Sequence, residues 1–436
     1  MKKFRIKNAL VIAVILLCVM GFCYSAYCAE DASGNEKPID WDILGAKGGW
    51  LHAYLSLEEK YSDNIYYRDI DKQDDFITLI RPGVGLTTPG GKAKPPNVYT
   101  SKNTPGGLSI SQFDLPALRR FNAYLFYEPE FEIYSDHSDL NDVNQSFQAA
   151  LQYHFKGGLS IKLLDQFIDT HDPYSGSLTF LGEKDQYRTN LGNITLGYRI
   201  SDKLKIDLDY SNFLVDYDDQ RNEDLNREDH TATGYIYFQF RPKVAVFTGY
   251  EYTKVDYDTG QFSDNTENRV YGGFQWEITD KSRGRIKAGY STTDFDDSDI
   301  ETSDSYIYEL QLNHRFTPKT SLNITAYRKD EASDYSEFDY RLTHRITASY
   351  LQKVTGKISI GMEAWYSYES YEGEVIVDGI PTKRKDDLYY ITPYFKYHFN
   401  DWFSMNLEYT LEKRDSTISI YDFSTNSVLI GLTLKN

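Results

Sequence analysis

The sequence predicts an all-β protein, a transmembrane antiparallel up-and-down β-barrel of about 18 strands, with 16 as the alternative count. Three observations predict this fold. From about Trp50 onward, segments that alternate apolar and polar residues come in pairs joined by very short turns. Longer, acidic loops separate the pairs. Many segments keep their alternation for ten residues or more, whereas strands of soluble proteins average about five or six.

The alternation has the period of two that a β-strand requires. In one segment, Leu204, Ile206 and Leu208 share a face, while Lys205 and Asp207 share the other. A soluble sandwich would turn its apolar face inward, but a wide barrel holds water in its lumen and turns that face toward lipid. The eighteen predicted strands start near Trp50, Asp75, Arg119, Asn144, Leu159, Tyr187, Leu204, His230, Val244, Glu267, Arg285, Ser305, Ser321, Phe338, Lys357, Leu388, Trp402 and Thr425.

The turns give the predicted barrel a direction. Short turns at one end and long loops at the other are typical of bacterial outer-membrane barrels, whose short turns face the periplasm. An even strand count then returns both ends of the barrel to the periplasmic side. The short turns recur about every 40 residues, at Lys156–Gly158, Ser201–Lys203, Arg241–Lys243, Thr279–Ser282, Thr317–Lys319, Val354–Gly356 and Asn400–Asp401.

The composition agrees with a single barrel and disfavours other classes. The 436 residues include 38 Tyr and 24 Phe, which fits aromatic girdles at two membrane interfaces. No Pro/Gly/Ser-rich linker divides the repeat, so one large domain is simpler than two or three. The net charge of -18 argues against nucleic acid as a partner.

The N-terminus predicts export. Four basic residues precede the apolar run Ala9–Phe22, which has the length of a signal-peptide core. All three cysteines lie in this region, so the exported chain has almost no thiol for a disulfide or a metal. We therefore expect a signal peptide at 1–29, cleaved after Cys28 or Ala29, a periplasmic segment at 30–49 and an outer-membrane barrel at 50–436.

One insertion breaks the rule of short turns. Residues Thr87–Leu115, rich in proline and glycine, follow the second predicted strand on the periplasmic side. We expect a loop or flap there with a role of its own, or else a hairpin that the pattern misses. Among the loops on the other side, Gly373–Lys385 is the best candidate to fold inward and narrow the lumen.

The predicted lumen face mixes basic and acidic residues, and two interpretations stay open. In the first interpretation, the wall is hydrated and its acidic and basic residues neutralise one another. In the second, it carries a basic stripe that favours anionic solutes such as acidic sugars. Inward tyrosines such as Tyr235, Tyr237 and Tyr271 offer faces for sugar rings, or belong to the girdles. The predicted stripe, on neighbouring strands, consists of Arg285, Lys287, Arg315, Arg341 and Arg345.

Signals for an enzyme or a cofactor are missing from the sequence. There is no G-x-S-x-G, H-E-x-x-H, P-loop or dinucleotide-binding glycine pattern. The acidic loops, Asp216–Asp229 and Asp294–Asp304, match no EF-hand spacing. We predict no enzymatic activity, no cofactor and no metal site.

The first hairpin carries a more specific motif. Asp63-Asn64-Ile65-Tyr66 is followed by Asp74–Thr78 and by Arg81–Val84, which contains a Pro-Gly pair. This pattern resembles the putative β-barrel porin 2 family. Asp63 and Asn64 are expected to close their own hairpin through Asx-type hydrogen bonds to the backbone.

The resemblance implies a function that the pattern of strands does not. Barrels of this family are often found with exopolysaccharide-synthesis systems, which implies a conduit for a surface or extracellular polysaccharide. The alternative is a general diffusion porin for small solutes. The expected partners are outer-membrane lipid and lipopolysaccharide, a periplasmic polysaccharide-export protein, and polysaccharide or small solutes in the lumen.

Overall fold

The computed structural model describes most of the predicted barrel. The described residues are 50–88, 98–110, 120–172, 184–279, 281–333, 335, 338, 340–377 and 379–435. The signal peptide expected at 1–29 and the periplasmic segment expected at 30–49 lie outside these residues. Of the insertion at 87–115, the described parts are 87–88 and 98–110.

Eighteen long strands of the described chain form one antiparallel sheet that closes on itself. The predicted fold and strand count are therefore confirmed, and each observed strand begins within three residues of its predicted start. In chain order the strands are β1 (Leu51–Ser62), β2 (Asp75–Thr87), β3 (Phe121–Tyr134), β4 (Asp142–His154), β5 (Leu159–Asp172), β6 (Asp185–Arg199), β7 (Leu204–Tyr217), β8 (Arg227–Arg241), β9 (Val244–Tyr257), β10 (Asn265–Thr279), β11 (Ser282–Phe295), β12 (Ser303–Thr317), β13 (Thr320–Ala332), β14 (Tyr340–Lys353), β15 (Ile358–Tyr371), the short β16 (Val375–Val377) and β17 (Ile380–Thr382), β18 (Lys385–His398), β19 (Phe403–Ser416) and β20 (Phe423–Lys435).

Each barrel strand pairs with the next one along the chain, and β1 closes the sheet by pairing with β20. This closing register runs over nine residue pairs, from Tyr54 opposite Lys435 to Ser62 opposite Ser427. The three-residue strands β16 and β17 form a separate hairpin between β15 and β18. The seven short turns occur where they were predicted, at the same end of the barrel as the start of β1 and the end of β20.

The polarity of the two faces of the barrel wall is the reverse of that in a soluble protein. In β1, Leu55 and Leu57 are 42% and 49% exposed, while Ser56 and Glu58 between them are only 5% and 7% exposed. Apolar side chains thus cover the outside and polar ones line the inside. Such a surface is stable only where lipid replaces water around it.

Exposed aromatic residues form two bands on the outer surface, as expected for the two membrane interfaces. The band near the short turns contains Phe155, Tyr198, Phe240, Phe316, Phe399 and Trp402. The band toward the long loops contains Tyr210, Tyr250, Tyr290, Tyr306, Tyr389 and Tyr409.

The described parts of the long loops contain little regular structure. Three short 3-10 helices lie in the described loops, at Ser138–Leu140, Gln220–Leu225 and Ser419–Tyr421. Among the described residues, no helix is both long and apolar enough to span a bilayer.

Candidate functional site

The insertion between β2 and β3 enters the barrel. Its described part, residues 98–110, is called the lumen segment here. Although the insertion leaves the wall at the short-turn end, the lumen segment contacts Asp172, Tyr217 and Ala332, which are the last residues of β5, β7 and β13 at the long-loop end. Since β5 and β13 are eight strands apart in an eighteen-stranded barrel, the segment spans the lumen.

The lumen segment folds as a compact turn. Thr100 bridges to Leu108, and the amide of Ser101 donates to the carbonyl of Gly107 at 2.9 Å. Gly106 and Gly107 have φ angles of 75° and 76°, in the left-handed region that favours glycine. A Cβ at Gly107 would also lie 2.3 Å from the ring of Phe213. Glycine is therefore required where the turn approaches the wall.

Lys102 anchors the lumen segment to the wall near β5 and β7. Its ammonium forms an ion pair with Asp172 and donates to the Tyr217 hydroxyl at 2.6 Å. It also lies 4.8 Å from the centre of the Tyr187 ring. Cation–π contacts of this kind add to the ion pair because the site is partly removed from water.

A second anchor joins the lumen segment to β13. The side-chain hydroxyl of Thr104 donates to Glu331 at 3.0 Å and accepts from the Lys329 ammonium at 2.7 Å. The Asn103 side chain donates to the carbonyl of Ala332 at 3.2 Å, and the Ala332 amide donates to the Asn103 carbonyl at 2.7 Å. Thr104 is almost fully buried, so these bonds are protected from competition by water.

A third anchor lies on β8. The Gly106 amide donates to the fully buried carboxylate of Asp229 at 2.8 Å. The guanidinium of Arg227 holds the same carboxylate at 3.1 Å and also donates to the Lys102 carbonyl. The lumen segment is thus attached at three places by hydrogen bonds and ion pairs.

A cavity of about 840 Å³ extends from the lumen segment to the short turns. We call it the vestibule. Tyr235, Tyr237, Tyr271 and Tyr327 are buried in its wall. Twelve of the residues that line it are Lys or Arg and six are Asp or Glu, which is the reverse of the balance in the whole chain.

The five residues of the predicted basic stripe occupy inward-facing positions in the strands, but they do not form one group. Arg285 and Lys287 lie together in the vestibule. Arg315 is exposed near the short turns, and Arg341 lies near the long loops. Arg345 lies between these levels on β14, which β13 separates from β12.

The surroundings of these residues differ as well. The Arg285 guanidinium lies over the Phe247 ring at 4.5 Å. Lys287 pairs with Glu309 at 3.1 Å, and Arg341 pairs with Glu369 at 3.0 Å. Arg345 lies over the Trp365 ring at 4.0 Å. Four of the five predicted residues therefore have a carboxylate or an aromatic ring as a close neighbour. The effect of these residues on solute selectivity stays a prediction.

The first-hairpin motif joins the first and last strands. Both carboxylate oxygens of Asp63 accept hydrogen bonds from Asn426 in β20, from its amide at 2.7 Å and from its side chain at 2.8 Å. The fully buried Asn64 side chain donates to the Arg68 carbonyl at 2.7 Å, a local bond of the expected kind, and also to the Ser424 carbonyl at 3.1 Å. The motif therefore fastens the closure of the barrel.

The other two motif residues pack in the same region. Ile65 is buried with Ile77, Leu79 and Tyr134 in an apolar cluster. Tyr66 packs against that cluster and meets the His137 ring edge-on at 5.8 Å. The first hairpin is thereby fixed to its loop neighbours as well as to β20.

Replacing both Asp63 and Asn64 with Ala is expected to weaken the barrel closure. The fully buried Asn64 bonds alone account for about 1–3 kcal/mol, because a buried backbone carbonyl loses its partner. The temperature at which the folded form converts to the unfolded form on SDS gels should fall. Asp69→Ala, at an exposed position of the same loop, is the control. Equal conversion temperatures for all three proteins would contradict this assignment.

An arginine that the sequence analysis missed fastens the long-loop rim. The Arg384 side chain is fully buried and pairs with Asp386 at 2.6 Å. Its guanidinium lies 4.0, 4.4 and 3.6 Å from the rings of Tyr335, Tyr371 and Tyr421. We call these five residues the rim cluster; it connects the loops after β13, β15 and β19.

The loop Gly373–Lys385, expected to fold inward, is built differently. It carries the β16–β17 hairpin, in which Ile376 and Ile380 are 68% and 65% exposed. Its described contacts are with the rim, through Val375 and Arg384. The lumen segment, from the opposite end of the barrel, takes the narrowing position instead. In the ranges that the structure describes, no group of three or more His, Cys, Asp or Glu could hold a metal ion.

Comparison with known proteins agrees with the barrel fold. A family model described as "Putative beta-barrel porin 2" matches residues 118–436. The first-hairpin motif, Asp63–Tyr66, precedes the matched region. No curated protein matches the chain.

Several solved structures are similar at low identity. OccAB4 of Acinetobacter baumannii is 10% identical, with 89% of this chain and 99% of that chain covered and a TM-score of 0.44. The siderophore receptor PirA of Pseudomonas aeruginosa is 8% identical, with 89% and 80% covered and a TM-score of 0.39. A bacterial polysaccharide outer membrane secretin is 10% identical, with 88% and 98% covered and a TM-score of 0.30.

Proposed function

The chain belongs to the putative beta-barrel porin 2 family, and on this premise we propose that it is an outer-membrane conduit that exports a surface or extracellular polysaccharide with periplasmic partners. The barrel itself is porin-like, with an apolar exterior and a polar lumen. The observation that carries the finer proposal is the vestibule, a polar cavity of about 840 Å³ that reaches the short turns. A cargo that leaves the cell must enter from this side.

The lumen segment supports the same direction of transport. Thr87 and Phe121, the strand ends on either side of the insertion, lie at the short-turn end. The three anchors of the lumen segment are hydrogen bonds and ion pairs, which can be exchanged for contacts with a cargo, while Val98 and Leu108 add apolar packing against the wall. A partner in the periplasm thus has access to the element that narrows the lumen.

Loss of the protein is expected to stop export. A strain without it should lose surface polysaccharide and accumulate polymer in the periplasm, and the wild-type gene should restore the surface polymer. Polymer is measured by sugar analysis of the medium and of the periplasmic fraction. Normal surface polysaccharide in the deletion strain would exclude the export role.

The alternative, a general diffusion porin for small solutes, is favoured by the polar inner wall. The two functions predict different solute permeabilities when the protein is reconstituted in liposomes. A diffusion porin lets neutral disaccharides pass at a steady rate without any partner, and liposome swelling measures this rate. Rapid swelling with the wild-type protein, together with normal surface polysaccharide in the deletion strain, would favour the porin.

A further inference from the structure

The two rims of the barrel carry opposite charge, in a chain whose net charge is -18. At the long-loop end, the segment Asp294–Asp304 contains six acidic residues and no basic one. At the short-turn end, exposed basic residues predominate. The exposed lysines of the short turns include Lys156, Lys203, Lys243, Lys319 and Lys357.

The positive charge continues from the short turns into the lumen. Lys156, Lys203 and Lys243 line the mouth of the vestibule, and Arg285 and Lys287 lie deeper in its wall. Among the lining residues, basic side chains outnumber acidic ones by twelve to six. A concave, partly desolvated surface with an excess of one sign concentrates counter-ions of the other sign.

Aromatic rings accompany these cations. The Lys287 ammonium lies 4.3 Å from the centre of the Tyr271 ring, and the Arg285 guanidinium lies 5.2 Å from that of Tyr235. Aromatic faces pack against the apolar faces of sugar rings, and cations pair with carboxylates. Lys287 is held by Glu309 at 3.1 Å, so the surplus of positive charge comes from the other basic residues of the wall and the mouth. The combination suits a chain of acidic sugars.

We propose that the vestibule binds an anionic polysaccharide whose sugar units carry carboxylate groups. This inference rests on the proposed export function and names the class of its cargo. Phospholipid headgroups, another source of negative charge, can reach the outer edge of the short turns. They do not reach Arg285 or Lys287, which face the lumen.

Binding of defined oligosaccharides tests the proposal. The full-length protein in neutral-lipid nanodiscs is titrated with hexagalacturonate and with uncharged maltohexaose, and the heat of binding is measured. Hexagalacturonate should bind more tightly, and its dissociation constant should rise with salt because the attraction is electrostatic. Equal affinity for both sugars, or binding of neither, would overturn the proposal.

Two triple variants locate the site. Lys156, Lys203 and Lys243 are exposed at the vestibule mouth, so replacing all three with Gln leaves the barrel wall intact. This variant should bind hexagalacturonate about tenfold more weakly, since each exposed charge contributes only a modest share. The control replaces Lys254, Lys383 and Lys413 with Gln, which removes the same charge from the long-loop end. Equal weakening by both variants would overturn the assignment to the vestibule.

The outcomes separate this inference from the export function. If the deletion strain loses its surface polymer but the protein binds neither sugar, the conduit stands and its cargo is not acidic. If the vestibule variant binds hexagalacturonate normally but attaches less to phosphatidylglycerol vesicles, the short-turn lysines serve lipid and the proposal fails.

Discussion

Freeing the lumen segment is expected to raise the ion current through the reconstituted barrel several-fold. The double substitution Lys102→Ala and Thr104→Val removes the ion pair with Asp172 and the bonds to Glu331 and Lys329. These contacts account for about 2–4 kcal/mol of attachment, so the equilibrium between attached and released segment shifts at least about thirtyfold toward release. The Asn103–Ala332 and Gly106–Asp229 hydrogen bonds remain. Single-channel recording in planar bilayers measures the current.

The matched control makes the same chemical changes away from the lumen segment. Lys254→Ala with Thr302→Val removes one ammonium and one hydroxyl from the long-loop end of the barrel, where their described partners are Asp256 and Asp294. The current of this variant should equal that of the wild type. Equal currents from the freed variant and the wild type would show that the segment does not limit conduction.

A reversible cross-link that holds the lumen segment in place tests its role by the opposite change. Asn103 and Ala332 exchange two hydrogen bonds, so cysteines at both positions should form a disulfide between the lumen segment and β13. The current through the oxidised variant should not exceed that of the wild type at any voltage or with any cargo present. Addition of a reductant should raise the current to the wild-type value or above it, because the Asn103 side-chain bond to Ala332 is also lost. An unchanged current on reduction would contradict a mobile segment.

Arg384→Ala is expected to be the most destabilising single substitution at the long-loop rim. It leaves the fully buried carboxylate of Asp386 without its closest partner, with Arg414 3.6 Å away. Breaking a buried ion pair on one side costs about 3–5 kcal/mol, and the rings of Tyr335 and Tyr421 lose the group between them. The urea midpoint of unfolding in lipid vesicles should fall, and the rim loops should become sensitive to protease.

The neighbouring residue supplies the control. Lys383 forms an ion pair with Glu372 at 3.0 Å, but both side chains are about half exposed. Exposed pairs of this kind contribute about 0–1 kcal/mol. Lys383→Ala should therefore leave the urea midpoint and the protease pattern unchanged. If Arg384→Ala behaved in the same way, the rim cluster would not fasten the loops.

The barrel fold was predictable because the sequence patterns that indicate it involve residues close together in the chain. Alternation such as that of Leu204, Ile206 and Leu208 reports the lipid-facing side directly, and turn residues mark the strand ends. The charge difference between the rims could also be read from the sequence, because each turn and loop carries its own charge. The identity of the inward faces followed from the same period of two.

The contacts that fasten the barrel and fill it were not predictable in this way, because their partners are distant in the chain. Asp63 was expected to bond its own hairpin, but its carboxylate is held by Asn426. Lys102 lies in a stretch whose proline and glycine content indicates only a loop, and no local pattern points to Asp172. Arg384 has the sequence surroundings of an ordinary surface loop. The three rings around it come from distant parts of the chain, namely the loop after β13, the end of β15 and the loop after β19.

The barrel closes only when its last strand, β20, pairs with its first strand, β1. Until Phe423–Lys435 is in place, β1 presents a row of unpaired amides and carbonyls that lipid cannot satisfy, each costing several kcal/mol. A chain that stalls one strand short leaves β1 and β19 as two open edges, because both of them pair with β20. Bonds such as that from Asn426 to Asp63 can form only when the last strand has been added, so they exist only in the closed barrel.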